Sequence, residues 1–294
     1  MANAIPTEAY EHCQRITKAE AKNFYYAFIT LPKAKRLAIY AAYAFCRLCD
    51  DIADEALDLD EKLRQLGEVE DKLEQAKNGH PDGPVYEALA HAVHAYSIPW
   101  EDLIEVIRGV EMDLTITRYE TFEDLRAYCY RVASVIGLIC IQVFGYKDPK
   151  AREYAIELGL AMQLTNILRD IREDAEMGRV YLPQEDLARF GYSEEQLMAG
   201  ELNEDFTRFM EFQVARAREY FTRGKRLLKL LPMRTRACPS VLGGIYSRLL
   251  DRIEDKDYDV YERRISLPPR EKLFMTVRIW AQSYVPLERV ITAW

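Results

Sequence analysis

The chain has 294 residues, of which 49% are hydrophobic and 30% are charged, and its formal net charge is −8. It is too apolar for an intrinsically disordered protein, and with 13 Gly and 12 Pro it is too poor in these residues for a fibrous or low-complexity one. Acidic residues outnumber basic ones, and the two kinds of charge are interleaved along the chain. This excludes a dedicated nucleic-acid-binding protein, which carries an excess of basic residues.

The amino terminus and the cysteines indicate the compartment. Residues 1–10 lack a basic stretch followed by an apolar core, so we expect no secretory signal. The six cysteines are irregularly spaced and do not form a disulfide framework. The longest strongly apolar stretch, residues 38–46, is far shorter than a membrane span and predicts a buried helix. We therefore expect a cytoplasmic protein with a reduced set of thiols.

Helix-forming residues dominate the chain between short groups of helix breakers. The breaker groups lie at residues 78–84, 97–100, 145–149, 176–183, 231–239 and 267–269. Apolar residues recur at steps of three and four in segments 60–77 and 203–231, which predicts amphipathic helices. The highly charged segment 251–264 predicts a surface helix or the end of one. No linker separates two domains, so we expect a single all-α domain over residues 1–294.

A first acidic cluster, defined as Asp50, Asp51, Asp54 and Glu55, follows the apolar stretch 40–49. On a helix Asp54 is a neighbour of both Asp50 and Asp51, with Cβ atoms roughly 5–6 Å apart. Carboxylates packed this closely repel one another unless solvent or a cation compensates their charge.

A second acidic cluster, defined as Asn166, Asp170, Glu173 and Asp174, follows the uncharged segment 159–165. Asn166, Asp170 and Asp174 are spaced by four residues and predict a single stripe along one helix. Carboxylate and amide oxygens suit Mg²⁺, which usually shares one or two carboxylates with the phosphates of a substrate. Two such helices facing each other would hold metal ions that bind a diphosphate.

Each cluster taken alone is more simply interpreted as a solvated face of a surface helix. Two features favour a metal and diphosphate site instead. Both clusters end apolar helices, and arginines that can donate two hydrogen bonds to a phosphate lie nearby, namely Arg47, Arg169 and Arg172.

The two clusters belong to longer motifs. Asp-Asp-Ile-Ala-Asp at residues 50–54, and Gln-Leu-Thr-Asn-Ile-Leu-Arg-Asp at 163–170 followed by Gly-Arg-Val-Tyr-Leu-Pro at 178–183, resemble the two signatures of the squalene/phytoene synthases. Segments 109–114 and 128–133 are also similar to the family. The resemblance runs from about residue 22 to residue 264, which is most of the chain.

The resemblance implies the all-α class I isoprenoid synthase fold, with a central cavity between the helices. It also implies that two prenyl diphosphates bind and that two or three Mg²⁺ ions bridge the clusters to diphosphate. One substrate ionises, and the double bond of the other attacks the allylic cation in a 1′–1 (head-to-head) condensation. A linear product follows, with or without reduction by NADPH, for which no binding motif is visible.

The resemblance assigns roles to individual residues. The catalytic residues it implies are Asp50, Asp51, Asp54, Asp170 and Tyr128. The metal ligands it implies are Asp50, Asp54, Asn166, Asp170 and Asp174. The residues it implies in the substrate pocket are Lys22, Phe24, Tyr43, Arg47, Gln163, Arg169, Tyr246 and Arg263.

The sequence leaves the substrate open. Our first expectation is that two C15 farnesyl diphosphates give presqualene diphosphate and a squalene-type C30 product. The alternative is that two C20 geranylgeranyl diphosphates give phytoene. A terpene cyclase or chain elongator, and a non-catalytic assembly factor of the same fold, are further alternatives. Because the substrate tails are apolar, we also expect peripheral contact with the inner face of the membrane.

Overall fold

The computed structural model describes residues 5–283, with the side chain of Lys22 left out, and this part of the chain is built from helices. The first half contains α1 (Thr7–Glu20), α2 (Lys22–Phe28), α3 (Lys33–Asp54), α4 (Leu59–Lys77), α5 (Pro84–Tyr96), α6 (Trp100–Thr115), α7 (Phe122–Cys129) and α8 (Val135–Phe144). The second half contains α9 (Lys150–Arg169), α10 (Ile171–Glu176), α11 (Gln184–Phe190), α12 (Glu194–Ala199), α13 (Glu204–Gly224), α14 (Ala237–Glu254) and α15 (Pro269–Ser283). A π-helical turn, Tyr130–Ser134, joins α7 to α8, and a 3₁₀ turn, Lys225–Lys229, follows α13.

The all-α prediction is confirmed. Within residues 5–283 the β-structure is limited to an isolated bridge between Arg118 and Val180. The helices predicted over 60–77 and 203–231 correspond to α4 and to α13 with its 3₁₀ extension.

Of the two alternatives predicted for residues 251–264, a surface helix or the end of one, the structure shows the end of a helix, because α14 stops at Glu254. There α14 ends in a Schellman-type turn, in which the Tyr258 amide donates to the carbonyl of Ile253 at 2.9 Å and Asp257 and Tyr258 adopt positive φ values of 50° and 64°. The following residues, 259–268, have no regular structure and form a segment that we call the C-terminal strap.

Helix α9 lies at the centre of the bundle and packs on α13, α8 and the π-helical turn. Glycine makes this packing close. A Cβ atom on Gly159 would lie 2.6 Å from Cα of Ser134, and one on Gly224 would lie 2.7 Å from the backbone nitrogen of Leu158. The Ser134 hydroxyl donates to the carbonyl of Ile156 at 2.8 Å across the same contact. These contacts fix the position of the π-helical turn along α9.

Within residues 5–283, one segment, Phe122–Phe144, is long and apolar enough to cross a membrane by length and composition. It comprises α7, the π-helical turn and α8, and half of its most apolar stretch is buried in the bundle. Since it packs on α9 and α6, we interpret it as a core helix.

Candidate active site

A cavity of about 360 Å³ runs between the helices at the centre of the molecule. On α3 its wall is a single stripe spaced by three or four residues, and the lining side chains are Ile39, Ala42, Tyr43, Cys46 and Asp50. The eleven residue steps from Ile39 to Asp50 span roughly 16 Å along the helix axis, which sets the depth of this wall. A similar stripe on α9 runs from Ala155 to Asn166. The apolar faces of both helices thus line the cavity. The carboxyl-terminal parts of α3 and α9 lie at the same end of the cavity.

The two ends of the cavity differ in chemistry. Polar side chains lie at one end, which we call the mouth, and they are Asp50, Asp113, Tyr128, Gln163, Asn166 and Tyr246. The opposite, apolar end is lined by Phe144, Leu227 and Cys238 among others. A molecule with a charged head and a long hydrocarbon tail matches this division.

The first acidic cluster divides between the cavity and the surface. Asp50 lines the mouth, whereas the side chains of Asp51 and Asp54 are 53% and 71% exposed and lie beside Arg47. An Nη atom of Arg47 is 2.5 Å from Oδ1 of Asp51 and 3.6 Å from Oδ2 of Asp54. Desolvation by the cavity walls, reinforced by the charges of Asp54 and Asp113, raises the pKa of Asp50 to about 6. The positive charge of Arg47 offsets only part of this effect, and Arg47 is itself paired with Asp51.

The second acidic cluster spans a break between two helices, so the single straight stripe predicted from the spacing is wrong. Helix α9 ends at Arg169, and Asp170 takes φ −104° and ψ 15° before α10 begins. The amides of Asp170 and Asp174 still donate to the carbonyls four residues earlier, each at 2.9 Å, so the two acids stay on consecutive turns. Desolvation, with the charges of Asp170 and Asp113, raises the pKa of Asp174 to about 7.

Asp170 is held by two arginines. Arg264 of the C-terminal strap donates to both of its oxygens, and Nε of Arg169 lies 2.7 Å from Oδ1. Burial opposes the charge, but these hydrogen bonds lower the pKa of Asp170 below its usual value. Arg263, which the resemblance assigns to the pocket, is exposed and lies next to Arg264 in the strap, and its place in the pocket stays a prediction. Arg172 fixes the strap by donating to the carbonyl of Tyr261 at 2.9 Å.

Asp113, on α6, was not among the predicted site residues, although it lies between the two acidic clusters. Its charge raises the pKa of both Asp50 and Asp174. Its Oδ1 accepts hydrogen bonds from the hydroxyl groups of Tyr128 at 2.8 Å and Tyr181 at 2.6 Å. The sequence signal was the similarity of segment 109–114 to the family, but nothing in the spacing showed that this segment reaches the mouth.

The predicted pocket aromatics come together at the mouth. The ring of Phe24 lies 6.3 Å from that of Tyr43 and 6.4 Å from that of Tyr246, centroid to centroid. Gln163 also lines the cavity, and Arg169 is buried beside Tyr246. The side chain of Lys22, at the start of α2, lies outside the described residues.

The donor set fits Mg²⁺ bound together with a substrate. Within the described part of the chain, no three His, Cys, Asp or Glu side chains converge into a preformed metal cage. The Oδ1 atom of Asn166 is buried without a hydrogen-bond partner among these residues, and it belongs to a side chain that lines the mouth. An unpaired buried amide oxygen and crowded carboxylates are what a hard cation would satisfy, with the remaining ligands supplied by water and phosphate.

The model of the squalene/phytoene synthase family matches residues 17–271. The chain belongs to this family. The resemblance inferred from the two motifs is confirmed, and the chain is a prenyltransferase that carries out head-to-head isoprenoid condensation.

Named relatives and solved structures agree on the family. The chain is 39% identical to 15-cis-phytoene synthase from Synechococcus elongatus, with 92% of each chain covered, and 36% identical to phytoene synthase from Mycobacterium tuberculosis, covering 94% of this chain and 92% of the relative. Its fold is similar to a dehydrosqualene synthase in complex with ligand, with a TM-score of 0.86, 29% identity and coverage of 96% and 98%. It is also similar to the squalene synthase HpnC from Alicyclobacillus acidocaldarius, with a TM-score of 0.82, 29% identity and coverage of 86% and 96%.

Proposed function

We propose that this enzyme condenses two C20 geranylgeranyl diphosphates head to head and forms phytoene. This is the alternative rather than our first expectation of farnesyl diphosphate. Relatives of 34–39% identity that span nearly the whole chain are phytoene synthases, whereas the squalene and dehydrosqualene synthases among the structural neighbours are at most 29% identical.

The observation that carries the proposal is the position of the acids relative to the cavity. Asp50, Asp113 and Asn166 surround one end of a cavity whose opposite end is apolar. A prenyl chain can lie along the roughly 16 Å stripes of α3 and α9 while its diphosphate stays at the mouth. The hydrocarbon is then buried and the charged group remains among polar partners.

In this proposal the residues that would hold Mg²⁺ are Asp50 and Asp54 on α3, with Asn166 and Asp174 on α9 and α10. When bound, Mg²⁺ neutralises the diphosphate and so favours its departure as a leaving group. Asp170 can join this set only if Arg264 moves, because both of its oxygens accept hydrogen bonds from arginine. The guanidinium group of Arg264 is then free to donate to the diphosphate instead.

The walls of the cavity suit the carbocation that ionisation leaves behind. The rings of Phe24 and Tyr43 face the space next to the acids, and their electron-rich faces attract a cation. The Tyr128 hydroxyl donates a hydrogen bond to Asp113. The lone pairs of the Tyr128 oxygen therefore remain available to positive charge in the cavity. Apolar side chains around this point exclude water, which would otherwise quench the cation.

The deciding experiment offers each substrate separately. The purified enzyme with Mg²⁺ is incubated with farnesyl diphosphate or with geranylgeranyl diphosphate, with and without NADPH, and the hydrocarbon is identified by mass spectrometry. We expect a C40 product from the C20 substrate without NADPH, and no product from the Asp50→Asn variant. A C30 product from the C15 substrate as the sole product would contradict the proposal.

A further inference from the structure

Helix α15 presents an apolar face to solvent. Leu273, Phe274, Val277 and Trp280 are 51%, 66%, 56% and 44% exposed. At 100° per residue these positions fall within one third of the helix circumference. The opposite face is buried at Thr276, Ile279 and Ser283 and packs on α14 and α2. An exposed apolar patch of this kind on a folded protein marks a contact surface.

The charges on α15 favour a particular partner. Arg270 and Arg278 are exposed on the same side as the apolar residues. The one carboxylate in the helix, Glu271, turns inward and pairs with Arg248 at 3.2 Å and Arg252 at 2.6 Å. The outward face of α15 therefore carries positive charge and no acid, in a chain whose net charge is −8. Such a face is complementary to an anionic surface.

The position of α15 links this face to the cavity. The two helices on which it packs both line the cavity, α2 through Phe24 and Phe28 and α14 through Leu242 and Tyr246. The apolar face of α15 is thus the outer side of the layer that walls the prenyl site.

We propose that the outer face of α15 docks on the surface of an anionic lipid bilayer. The helix lies in the plane of the interface, with Leu273, Phe274 and Val277 in the acyl boundary and Arg270 and Arg278 among the headgroups. A second copy of the chain fits less well, because a two-fold contact through this face would bring the arginines of the two helices together. The inference depends on the geometry of α15 and not on the identity of the prenyl substrate.

Vesicle co-sedimentation tests the proposal without any turnover. We expect the enzyme to bind vesicles of phosphatidylcholine with phosphatidylglycerol at low salt and to bind phosphatidylcholine vesicles at least tenfold more weakly. The double variant Leu273→Ser/Phe274→Ser should lose at least tenfold in binding. The matched control is Met198→Ser/Leu202→Ser, because these side chains are 40% and 51% exposed in and after α12, which packs on α10. The control should bind as the parent does.

A second variant and two other measurements keep the test independent of folding defects. Arg270→Gln/Arg278→Gln leaves the apolar residues in place and should remove the preference for anionic vesicles. Turnover of detergent-solubilised substrate should stay within twofold of the parent for every variant. The proposal fails if the parent does not bind anionic vesicles or if the serine variant binds as well as the parent. It also fails if light scattering shows that the serine variant separates a dimer into monomers, because a second copy then occupies the face.

Discussion

Arg264 forms a bidentate ion pair with Asp170, with Nε 2.8 Å from Oδ1 and Nη2 2.9 Å from Oδ2. The pair joins the irregular C-terminal strap to the junction of α9 and α10, and Arg169 contacts the same carboxylate. A guanidinium group that recognises a carboxylate in this way can recognise a diphosphate by the same geometry. Arg264 is therefore placed to exchange its hydrogen bonds to Asp170 for hydrogen bonds to the diphosphate of the substrate.

Replacing Arg264 should impair the reaction, whereas replacing its neighbour should not. We expect Arg264→Gln to lower kcat/KM about tenfold or more, because a charge-assisted hydrogen bond is worth about 1.5–3 kcal/mol. Arg263→Gln is the matched control and should stay within about twofold of the parent. Steady-state kinetics with the preferred substrate measures both. If Arg263→Gln is the more damaging variant, the motif-based assignment is right and the one from the structure is wrong.

The difference between these two arginines shows where sequence reasoning succeeds. Asp50 and Asn166 could be predicted as site residues because each ends a regular helix, and helical spacing tells which side chains share a face. Arg264 lies in a strap without periodicity, so no spacing rule distinguishes it from Arg263. In the same way, the charge pattern of residues 251–264 left open whether they form a surface helix or the end of one, and the turn with positive φ after Glu254 decides it.

Asp113 was missed for a different reason. It is one of several acids on α6, and what sets it apart is its contact with Tyr128 and Tyr181, which approach it from other parts of the chain. Such a convergence is a property of the packing of helices and not of any local pattern. The all-α class, by contrast, follows from composition and breaker spacing along the whole chain, and it could be predicted.

The two tyrosines that donate to Asp113 should differ in importance. Tyr128 lines the cavity, and Tyr181 does not appear among the described lining residues. We expect Tyr128→Phe to lower kcat about 100-fold, since a polar group that stabilises charge in the transition state is lost. Tyr181→Phe removes a hydrogen bond to the same oxygen and should cost less than about fivefold in kcat. Equal losses in the two variants would show that both hydroxyl groups act only by orienting Asp113.

The choice between C20 and C15 substrates should respond to the width of the cavity. Leu242 lies one helical turn below Tyr246 on α14, and its side chain is half-buried because it faces the cavity. Leu242→Phe should lower kcat/KM for geranylgeranyl diphosphate at least about fivefold relative to farnesyl diphosphate, because filling a packed site costs about 1–3 kcal/mol. Leu242→Met, which conserves volume, should leave the ratio unchanged. A competition assay with both substrates measures the ratio, and an unchanged ratio in Leu242→Phe would place the longer tail elsewhere.

The burial of Asp50 and Asp174, reinforced by neighbouring acids, should make the metal-free protein less stable as pH rises. In the folded state the pKa values of Asp50 and Asp174 are raised to about 6 and about 7 from an ordinary 3.8. Between about pH 4 and pH 7 the folded state therefore binds more protons than the unfolded one, and the stability that this supplies is lost as pH rises through the folded pKa values.

Asp174→Asn tests this linkage. In buffer with a chelator, the variant should be more stable than the parent at pH 8 by about 1 kcal/mol, a figure reduced for the partial solvent contact of the carboxylate, and the difference should vanish near pH 4. Urea unfolding at each pH measures it. Asp71→Asn, which removes an exposed carboxylate from α4, is the control and should show no such crossover. A parent protein that gains stability between pH 5 and pH 8 through Asp174 would contradict the raised pKa of this carboxyl group.

Gly159 and Gly67 are both helical glycines, and alanine should act on them in opposite directions. A Cβ atom on Gly159 would lie 2.6 Å from Cα and 2.8 Å from the nitrogen of Ser134, which are backbone atoms of the π-helical turn. Overpacking of this kind costs about 1–3 kcal/mol, so Gly159→Ala should lower the free energy of unfolding. At Gly67, in the middle of α4, nothing lies within 4 Å of the added atom.

Gly67→Ala should therefore raise the free energy of unfolding by about 1 kcal/mol, the difference in helix propensity between the two residues. Gly159→Ala should in addition slow turnover, because Gly159 and Ala133 both line the cavity and the π-helical turn must move to admit the methyl group. Urea unfolding and kcat, measured on both variants, separate the two effects. If Gly159→Ala matched the parent in both stability and kcat, α9 and the π-helical turn would be able to move apart without loss. Their close contact would then not be required to hold the cavity wall in place.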